Sequence, residues 1–434
     1  MSSLPGAIGI MRRIAVPEHG MLIMSVPMSI RTTVGAVRYV GKRLNLRENQ
    51  AVRAYLRLNI YLWLSIRQKI KRGEVGFSNH KANDPTSKTK IMKTYKHLWE
   101  KLITEENFEI AYRNSIKHKG GQRQVQIFQE NVAENLEKVR QLVISGNFHT
   151  SKYCAKIIYE PKERVIYKLP YNPDRIVQHA IMNILKPILT NLFIENSFAC
   201  IEGRGTHAAS LKCSEYTRKY KYCLKCDIRK FYPSINQRVL SDMFHRIIRD
   251  DRFMEIIDDI IFSFEGGYNC PIGNYCSQWF GNFYLTVLDN YVLHDLKCKG
   301  YVRYCDDFLL FDNSKEYLQD CRWKIKQFLW DKLELSFSKD DVFPTKRGVD
   351  YCGYRSFGKY VLLRKSTAKR IKRRVKKIDE KINTGDIDIC KTQGQLASAH
   401  GQLKHCCSHH LADSIGLYEK IDAVKRLSKE VQHG

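Results

Sequence analysis

The chain has 434 residues, too many for one compact core, which predicts two or three domains. Its hydrophobic content of 43% and aromatic content of 11% argue against wholesale disorder. Lys and Arg number 73 against 45 Asp and Glu, and the resulting formal charge of +28 favours a polyanionic partner over a neutral one. No run of about 18 apolar residues is present, so the sequence predicts no membrane span. Fourteen cysteines are scattered without a spaced disulfide framework, which predicts a reducing, cytoplasmic setting.

The first 91 residues differ in pattern from the rest of the chain. One helix is predicted over "VRAYLRLNIYLWLSIRQKIKR", and the polar run "GFSNHKANDPTSKTK" after it is typical of a linker. Met92 then opens a clear pattern, so it is a candidate for the natural start of the protein. Whether residues 1–91 are an upstream extension or part of the native protein stays open.

From Met92 onward, helical and strand-like segments alternate. Helical spacing is found in "MKTYKHLWEKLITEENFEIAYRNSIKHKGG", "ENVAENLEKVRQLVISG" and "DRIVQHAIMNILKPILTNLF", and β-rich alternation around Glu160–Lys162 predicts a hairpin. A strand over "YCLKCDI" precedes a helix through "RVLSDMFHRIIRDDRFMEIIDDIIFSF" and another from "SQWFGNFYLTVLDNYVLHDL". Two short strands joined at acids follow in "YVRYCDDFLLFD", then an amphipathic helix over "CRWKIKQFLWDKLEL" and a β pair with a Gly-Lys turn in "VDYCGYRSFGKYVLLR". This order indicates an α+β fold.

Three aspartates stand at the ends of apolar strands. Asp306 and Asp307 join the two short strands, and Asp227 ends the strand "YCLKCDI". Magnesium prefers hard oxygen ligands, and phosphoryl transfer by two metals needs carboxylates that bridge the ions. Taken one at a time, the acids are equally well explained as a turn and a helix cap. Their joint pattern in so basic a chain favours a metal site.

The acids lie in segments that resemble the motifs of reverse transcriptases. "YCDD" resembles the YxDD signature, and "CDIRKFYPSI" resembles motif A. Six further segments follow in chain order. "EPKERVIYKLPYNPDRIVQHAI" and "FIENSFACIEGRGTHAA" resemble the two finger motifs, "PIGNYCSQWFGNFYL" resembles motif B, and "LELSFSKDD" resembles motif D. "VDYCGYRSF" resembles the primer grip, and "LASAHGQLKHCCSHHL" is similar to the thumb segment. The resemblance spans roughly residues 92–425. It implies a right-hand polymerase fold with fingers, a palm built on an antiparallel sheet with helices, and a helical thumb. The domains it implies are N-terminal helices and fingers over 92–214, a palm with an inserted fingers helix and the primer grip over 215–360, and a helical thumb over 361–434.

The same resemblance implies the role of each site residue. Asp227, Asp306 and Asp307 would hold two Mg²⁺ ions, replaceable by Mn²⁺, with the carbonyl of Ile228 as a further ligand. Tyr232 would exclude the ribose 2′-hydroxyl, or it is a packed core tyrosine. The other nucleotide-binding residues would be Lys162, Arg164, Ile272, Gly273, Gln278 and Lys339. The primer grip would be Tyr351, Cys352, Gly353 and Tyr354. Nucleic acid would be bound by Arg204, Arg364, Lys365, Lys369, Arg370, Arg373 and Arg374, for which solvated surface charge is the alternative.

Motif B narrows the resemblance further. Most reverse transcriptases have a glutamine before the motif B glycine and a Ser-Pro after it, whereas this chain has Ile272 before Gly273 and Gln278 in place of the proline. This pattern resembles the enzymes of diversity-generating retroelements, which copy a template-repeat RNA with errors at template adenines. The implied partners are template RNA, the cDNA or primer strand, dNTPs and a small accessory variability protein. A retron, group II intron-like or phage-defence enzyme stays an alternative, as does a non-catalytic RNA-binding scaffold.

Two Cys- and His-rich segments raise the question of zinc. In a strand, the thiols of Cys223 and Cys226 would point to opposite faces, because residues three apart do so. The segment "HCCSHH" at 405–410 is richer in ligand types, and its spacing places it on a helix.

Overall fold

The computed structural model describes residues 93–159 and 163–433. The predicted extension over 1–91 and the finger residue Lys162 therefore lie outside the described residues. Across the described ranges, helices alternate with antiparallel strands, as the α+β prediction requires. No described helix combines the length and apolarity that crossing a membrane requires.

The N-terminal part is a group of short helices followed by a hairpin. Its elements are α1 (Trp99–Leu102), α2 (Glu105–Ser115), α3 (Arg123–Gln129), α4 (Val132–Ile144), β1 (Cys154–Ile158), β2 (Arg164–Lys168) and α5 (Ile176–Thr190). Thr104 divides the helical segment that begins near Met92, because its side chain accepts a hydrogen bond from the backbone N–H of Asn107 and so caps α2. The predicted hairpin is confirmed: β1 and β2 pair antiparallel, with Cys154 opposite Lys168.

A four-stranded antiparallel sheet, here called the central sheet, is built from strands between residues 222 and 344. The strands of this sheet and the helices around it are α6 (Thr206–Lys219), β3 (Tyr222–Ile228), α7 (Phe231–Ser234), α8 (Gln237–Ile247), α9 (Asp251–Phe262), α10 (Ser277–Tyr284), α11 (Thr286–Asn290), β4 (Gly300–Tyr304), β5 (Asp307–Asp312), α12 (Lys315–Leu333) and β6 (Phe337–Pro344). The strand order is β4-β5-β3-β6. The single helix predicted through 238–264 is two helices, because the Asp250 side chain accepts from the N–H of Phe253 and caps α9.

The two faces of the central sheet enter different cores. Leu224, Cys226 and Ile228 of β3 pack into the large core shared with the surrounding helices, whereas Cys223 packs with Val302 in a second core. The thiols of Cys223 and Cys226 therefore diverge, as strand alternation predicts. The same alternation places the side chains of β3 residues 223, 225 and 227 on one face.

The C-terminal part joins a small sheet to a helical unit. Its elements are β7 (Val349–Tyr351), β8 (Tyr354–Ser356), β9 (Val361–Leu363), α13 (Lys365–Thr384), α14 (Ile389–Leu403), α15 (His409–Ser414) and α16 (Leu417–His433). The predicted β pair is a three-stranded sheet in the order β7-β8-β9. The last helices bury their own core, which includes Ile371, Val375, Leu396, Leu403 and Val424. The helix predicted over "HCCSHH" is wrong for its first four residues, since 405–408 form the connection between α14 and α15.

Candidate active site

The three predicted acids meet at one edge of the central sheet. β4 and β5 pair so that Tyr304 lies opposite Asp307, which leaves Cys305 and Asp306 as a two-residue turn. β3 lies next to β5 with Asp227 directly opposite Asp307. Directly opposed residues in an antiparallel pair have their side chains on the same face, about 5 Å apart at Cβ. The fold therefore brings together acids that are 80 residues apart in the sequence.

The surroundings of these carboxylates disfavour their negative charge. Burial raises the pKa of Asp307 to about 6, while Lys225 opposes this rise and Asp227 adds to it. Burial, followed by the charge of Asp227, also raises the pKa of Asp306, and Arg164 acts in the opposite direction. Clustered carboxylates in a partly dry site repel one another, a cost that a bound cation would remove.

The acids as they stand are bound to protein groups. Lys225 Nζ lies 3.5 Å from Asp307 Oδ2, and the Ser338 hydroxyl donates to Asp227 Oδ2. The second oxygen of Asp307, Oδ1, is buried and has no hydrogen-bond partner. Across 93–159 and 163–433 no three His, Cys, Asp or Glu side chains are already arranged around one ion position. The donor chemistry nevertheless fits divalent cations, because hard carboxylate oxygens converge here and one of them lacks a partner.

A buried ion pair supports the acidic turn from below. The side chain of Arg303 is fully buried, and its Nε and Nη2 donate to the two carboxylate oxygens of Asp289 at 2.7 and 2.5 Å. Its Nη1 donates to Asn282 Oδ1 at 3.0 Å and to the carbonyl oxygen of Cys305 at 3.2 Å. Cys305 has a φ of +55°, a left-handed conformation that costs free energy in a non-glycine residue. Arg303 therefore ties the strained turn to helices α10 and α11.

Asp289→Asn is expected to lower the free energy of unfolding by about 3–5 kcal/mol, because it leaves the buried guanidinium without a counter-charge. Chemical denaturation of the purified protein measures this change. Asp295→Asn, an exposed aspartate six residues later, should stay within about 0.5 kcal/mol of the unaltered chain. The double replacement Arg303→Met with Asp289→Leu should recover much of the loss. If Asp289→Asn were as stable as Asp295→Asn, the stabilising role of the Arg303–Asp289 pair would be contradicted.

The motif B loop packs against the finger strand β2. The N–H of Tyr167 donates to the carbonyl of Ile272 at 2.8 Å, and Ile272 itself is half-buried. Gly273 has a φ of +129°, and a Cβ added there would stand 2.2 Å from the carbonyl oxygen of Tyr167. Only glycine fits this position. Gln278, the second residue of α10, is exposed, and its Oε1 accepts from the thiol of Cys200 at 3.3 Å.

Tyr232 lies beside the acidic turn. Its hydroxyl is 3.4 Å from the sulfur of Cys305, and a Cβ on Gly281 of α10 would meet its ring at 3.0 Å. Burial raises the pKa of Tyr232 far above its usual value, so the phenol stays neutral. The ring is thus held between motif A, motif B and the acidic turn.

The predicted primer grip contacts the acids directly. The Tyr351 hydroxyl donates to the carbonyl oxygen of Asp307 at 3.1 Å. Cys352 and Gly353 form the turn of the hairpin with φ values of +48° and +88°, the pattern of a type I′ turn. Tyr354 points elsewhere, since its hydroxyl lies 2.9 Å from His207 Nδ1 and donates to the carbonyl of Gln402 at 3.0 Å.

The remaining predicted residues fall into two groups. Arg164 is exposed on β2, close enough for its charge to act on Asp306, and Lys339 lies opposite Asp227 in the sheet with its Nζ 3.4 Å from Asp341. Two cations are used within the protein. Arg364 Nε donates to both carboxylate oxygens of Asp350, and Arg204 Nη1 donates to two carbonyl oxygens at 2.7 and 2.8 Å.

Three of the other predicted cations line a groove between α13 and α14. The groove has a volume of about 810 Å³, and its cationic residues are Arg370, Arg373, Arg374, Lys377, Lys381 and Lys391. Lys365 and Lys369 are exposed on the same helix, α13. One acid, Asp388, lies among these residues. The groove therefore has the charge that a phosphate backbone would require.

Sequence reasoning missed four residues of this site: Lys225, Ser338, Asp289 and Asp350. Lys225 had a visible signal, since it is a lone lysine inside an apolar strand two residues before a candidate ligand. Asp289 and Asp350 had none, because their importance depends on contacts between distant elements.

The comparison with protein families agrees with this geometry. Residues 160–356 match the family described as reverse transcriptase (RNA-dependent DNA polymerase), and this range includes all three acids, the motif B loop and the primer-grip hairpin. Residues 160–356 therefore form a reverse transcriptase domain with the right-hand polymerase fold, the domain of RNA-directed DNA polymerases. Such domains act on nucleic acids with an RNA template and generally use divalent metal ions.

Individual relatives are distant. The chain is 23% identical to protein YkfC of Escherichia coli over 284 residues, covering 53% of this chain and 73% of YkfC. It is 20% identical to the group II intron-encoded protein LtrA of Lactococcus lactis over 342 residues, covering 60% of this chain and 56% of LtrA. Among solved structures it is similar to apo telomerase from Candida tropicalis, with 13% identity, a TM-score of 0.40, and coverage of 51% and 49% of the two chains.

Proposed function

We propose that the protein is the reverse transcriptase of a diversity-generating retroelement. It copies a template-repeat RNA into cDNA with errors concentrated at template adenines, and the cDNA replaces a variable repeat in a target gene. The observation that carries the subtype is Ile272, which stands half-buried in the motif B loop where related enzymes have glutamine. The polymerase class itself follows from the family match and the converging acids.

The chain's residues divide the chemistry of nucleotidyl transfer among themselves. Asp227, Asp306 and Asp307, with the carbonyl of Ile228, hold two divalent cations, Mg²⁺ or Mn²⁺. When bound, these cations polarise the primer 3′-hydroxyl and neutralise charge on the α-phosphate and pyrophosphate. Asp307 is positioned for this by its hairpin, which Arg303 fixes from below.

The fingers and palm bind the incoming dNTP around this centre. Arg164 and Lys162 clamp the triphosphate, a role that suits the bidentate geometry of arginine. Tyr232 closes the sugar side of the pocket against a ribose 2′-hydroxyl. Lys339 supplies a proton to the departing pyrophosphate, and its pairing with Asp341 holds it near the site.

The motif B loop sets fidelity in this proposal. Ile272 cannot donate or accept a hydrogen bond from its side chain, so a wrong base pair leaves no buried polar group unsatisfied. Sites that discriminate strongly do so by leaving such groups unpaired with the wrong substrate. Gln278, just after this loop in α10, stays exposed and accepts from the Cys200 thiol.

Ile272→Gln is expected to lower the error frequency opposite template adenine by about tenfold while primer extension continues, because an amide restores hydrogen-bond discrimination. Deep sequencing of cDNA made from an adenine-rich RNA template measures this frequency. Ile127→Gln, at an exposed isoleucine on α3, serves as the matched control and should leave errors unchanged. Unchanged adenine errors in Ile272→Gln would remove Ile272 as the determinant.

A group II intron-like enzyme is the second candidate, and the similarity to LtrA favours it. Retron and phage-defence enzymes are further members of the same class. The flanking DNA discriminates between them: a pair of repeats that differ mainly at adenines in one copy is expected for a diversity-generating retroelement. A non-catalytic RNA-binding scaffold would fail primer extension with dNTPs on an RNA template.

The proposed partners follow from the charged surfaces. The thumb groove of Arg370, Arg373 and Arg374 would bind the backbone of the template–primer duplex, together with Lys365 and Lys369. Arg364 and Arg204 would contribute less, because their side chains already bind protein groups. A small accessory variability protein would complete the complex on the template RNA.

A further inference from the structure

One lysine lies between the acidic site and the primer-grip sheet. Lys225 is on β3, two residues before Asp227, and its side chain is 15% exposed. Its Nζ donates to the carbonyl oxygen of Asp350 at 2.6 Å and lies 3.5 Å from Asp307 Oδ2. A single ammonium group therefore contacts both a candidate metal ligand and strand β7.

A second contact joins the same two elements. The hydroxyl of Tyr351, next to Asp350 on β7, donates to the backbone carbonyl of Asp307 at 3.1 Å. Asp350 is in turn held through its carboxylate by Arg364, the residue that precedes helix α13. A continuous series of contacts thus runs from the start of α13 through β7 and Lys225 to Asp307.

The position of Lys225 has an electrostatic consequence. The carboxylate that faces its ammonium is that of Asp307, while Asp350 presents its carbonyl oxygen. Lys225 thereby supplies Asp307 with the positive charge that a divalent cation would supply. Both cannot occupy the same side of the carboxylate without strong repulsion, because two cations within about 5 Å of each other repel even at an effective dielectric constant near 20.

We propose that Lys225 is a positioning residue that acts as an internal counter-cation for Asp307, and that a divalent cation binds there only by displacing it. Displacement frees Lys225 from Asp307 while it stays bonded to Asp350, so occupation of the metal site is coupled to the primer-grip strand. This inference rests on the proposed metal site. It assigns to the chain a competitor for metal and a connection between two parts of the active centre.

The test is direct binding of Mn²⁺ to the full chain, measured by electron paramagnetic resonance without nucleic acid. Lys225→Met should bind Mn²⁺ about tenfold more tightly than the unaltered chain, because a repelling charge is removed. Lys225→Gln should tighten binding similarly, since it keeps a donor for Asp350 but no charge, and it carries the test if the Met variant does not fold. Lys225→Arg should stay near the unaltered affinity.

The matched control is Lys221→Met. Lys221 is exposed and directly precedes the same strand, so its replacement should leave Mn²⁺ affinity unchanged. Primer extension at saturating Mn²⁺ should show a lower kcat in Lys225→Met despite tighter metal binding, a divergence that a merely structural role would not produce. Unchanged or weaker Mn²⁺ binding in both uncharged variants would overturn the role of Lys225 alone. The proposed metal site would be overturned as well if the unaltered chain bound no Mn²⁺, or if Asp307→Asn did not abolish the binding.

Discussion

Asp306→Asn is expected to reduce primer extension by about 10³-fold or more, equivalent to about 4 kcal/mol of transition-state stabilisation. The amide keeps the size of the side chain but removes a negative charge from the turn between β4 and β5. Asp306 is half-buried in this turn rather than packed in the core, and burial and the charge of Asp227 disfavour a carboxylate there. The free energy of unfolding should therefore change little, or rise.

Asp312→Asn is the matched control for this prediction. Asp312 ends the same strand, β5, at its far end from the turn, and its Oδ1 accepts from the N–H of Ser314, a bond that asparagine can keep. Radiolabelled dNTP incorporation on an RNA template with excess Mg²⁺ measures both variants. Sustained cDNA synthesis by Asp306→Asn would refute the assignment of the acids.

The acidic site could be predicted from sequence because its determinants are local. Apolar strands flank Asp227 and the pair at 306–307, and antiparallel pairing of two such strands places their terminal acids together. The chain order of the motifs that resemble those of reverse transcriptases pointed to the same three acids. The hairpin that bears Arg164 and the turn at Gly353 were equally visible, since β alternation and glycine are read over a few residues.

What could not be predicted depends on contacts between distant segments. Arg303 was visible as part of the acidic motif, but nothing in the sequence paired it with Asp289 on α11. The predicted β pair flanked the Gly-Lys turn at 358–359, but its first strand is divided by the turn at Cys352 and Gly353 into β7 and β8, each too short for alternation to show. Arg364 was grouped with the thumb cations by its position in a basic run, whereas in the fold it forms an ion pair with Asp350.

Helix boundaries show a mixed case. Asp250 and Thr104 cap helices that the sequence patterns ran together, and both residue types are favoured at such caps. Apolar spacing continued across each cap, so periodicity outweighed the capping signal. The C-terminal error over 405–408 has the same origin, since the connection lies inside a segment of continuous helical spacing.

Gly273→Ala is expected to reduce primer extension by about 10²-fold, the effect of a displacement of about 1 Å near reacting groups. A methyl group at this position would stand 2.2 Å from the carbonyl oxygen of Tyr167, a distance at which atoms cannot remain. The motif B loop and strand β2 must therefore separate, and the bond from Tyr167 N–H to the Ile272 carbonyl must lengthen. Arg164 lies on that strand, so the proposed triphosphate clamp would move away from the loop that carries Ile272.

Gly266→Ala separates this steric effect from backbone strain. Gly266 lies in the loop that leads to motif B with a φ of +104°, so alanine there meets a comparable conformational penalty, but no atom lies within 4 Å of the added Cβ. It should therefore lose about 1–3 kcal/mol of stability while keeping most of its activity. Steady-state kinetics should show a higher KM for dNTP in Gly273→Ala only. Equal loss of activity in the two variants would assign the effect to strain, and the close approach of β2 to motif B would then not be what organises the nucleotide site.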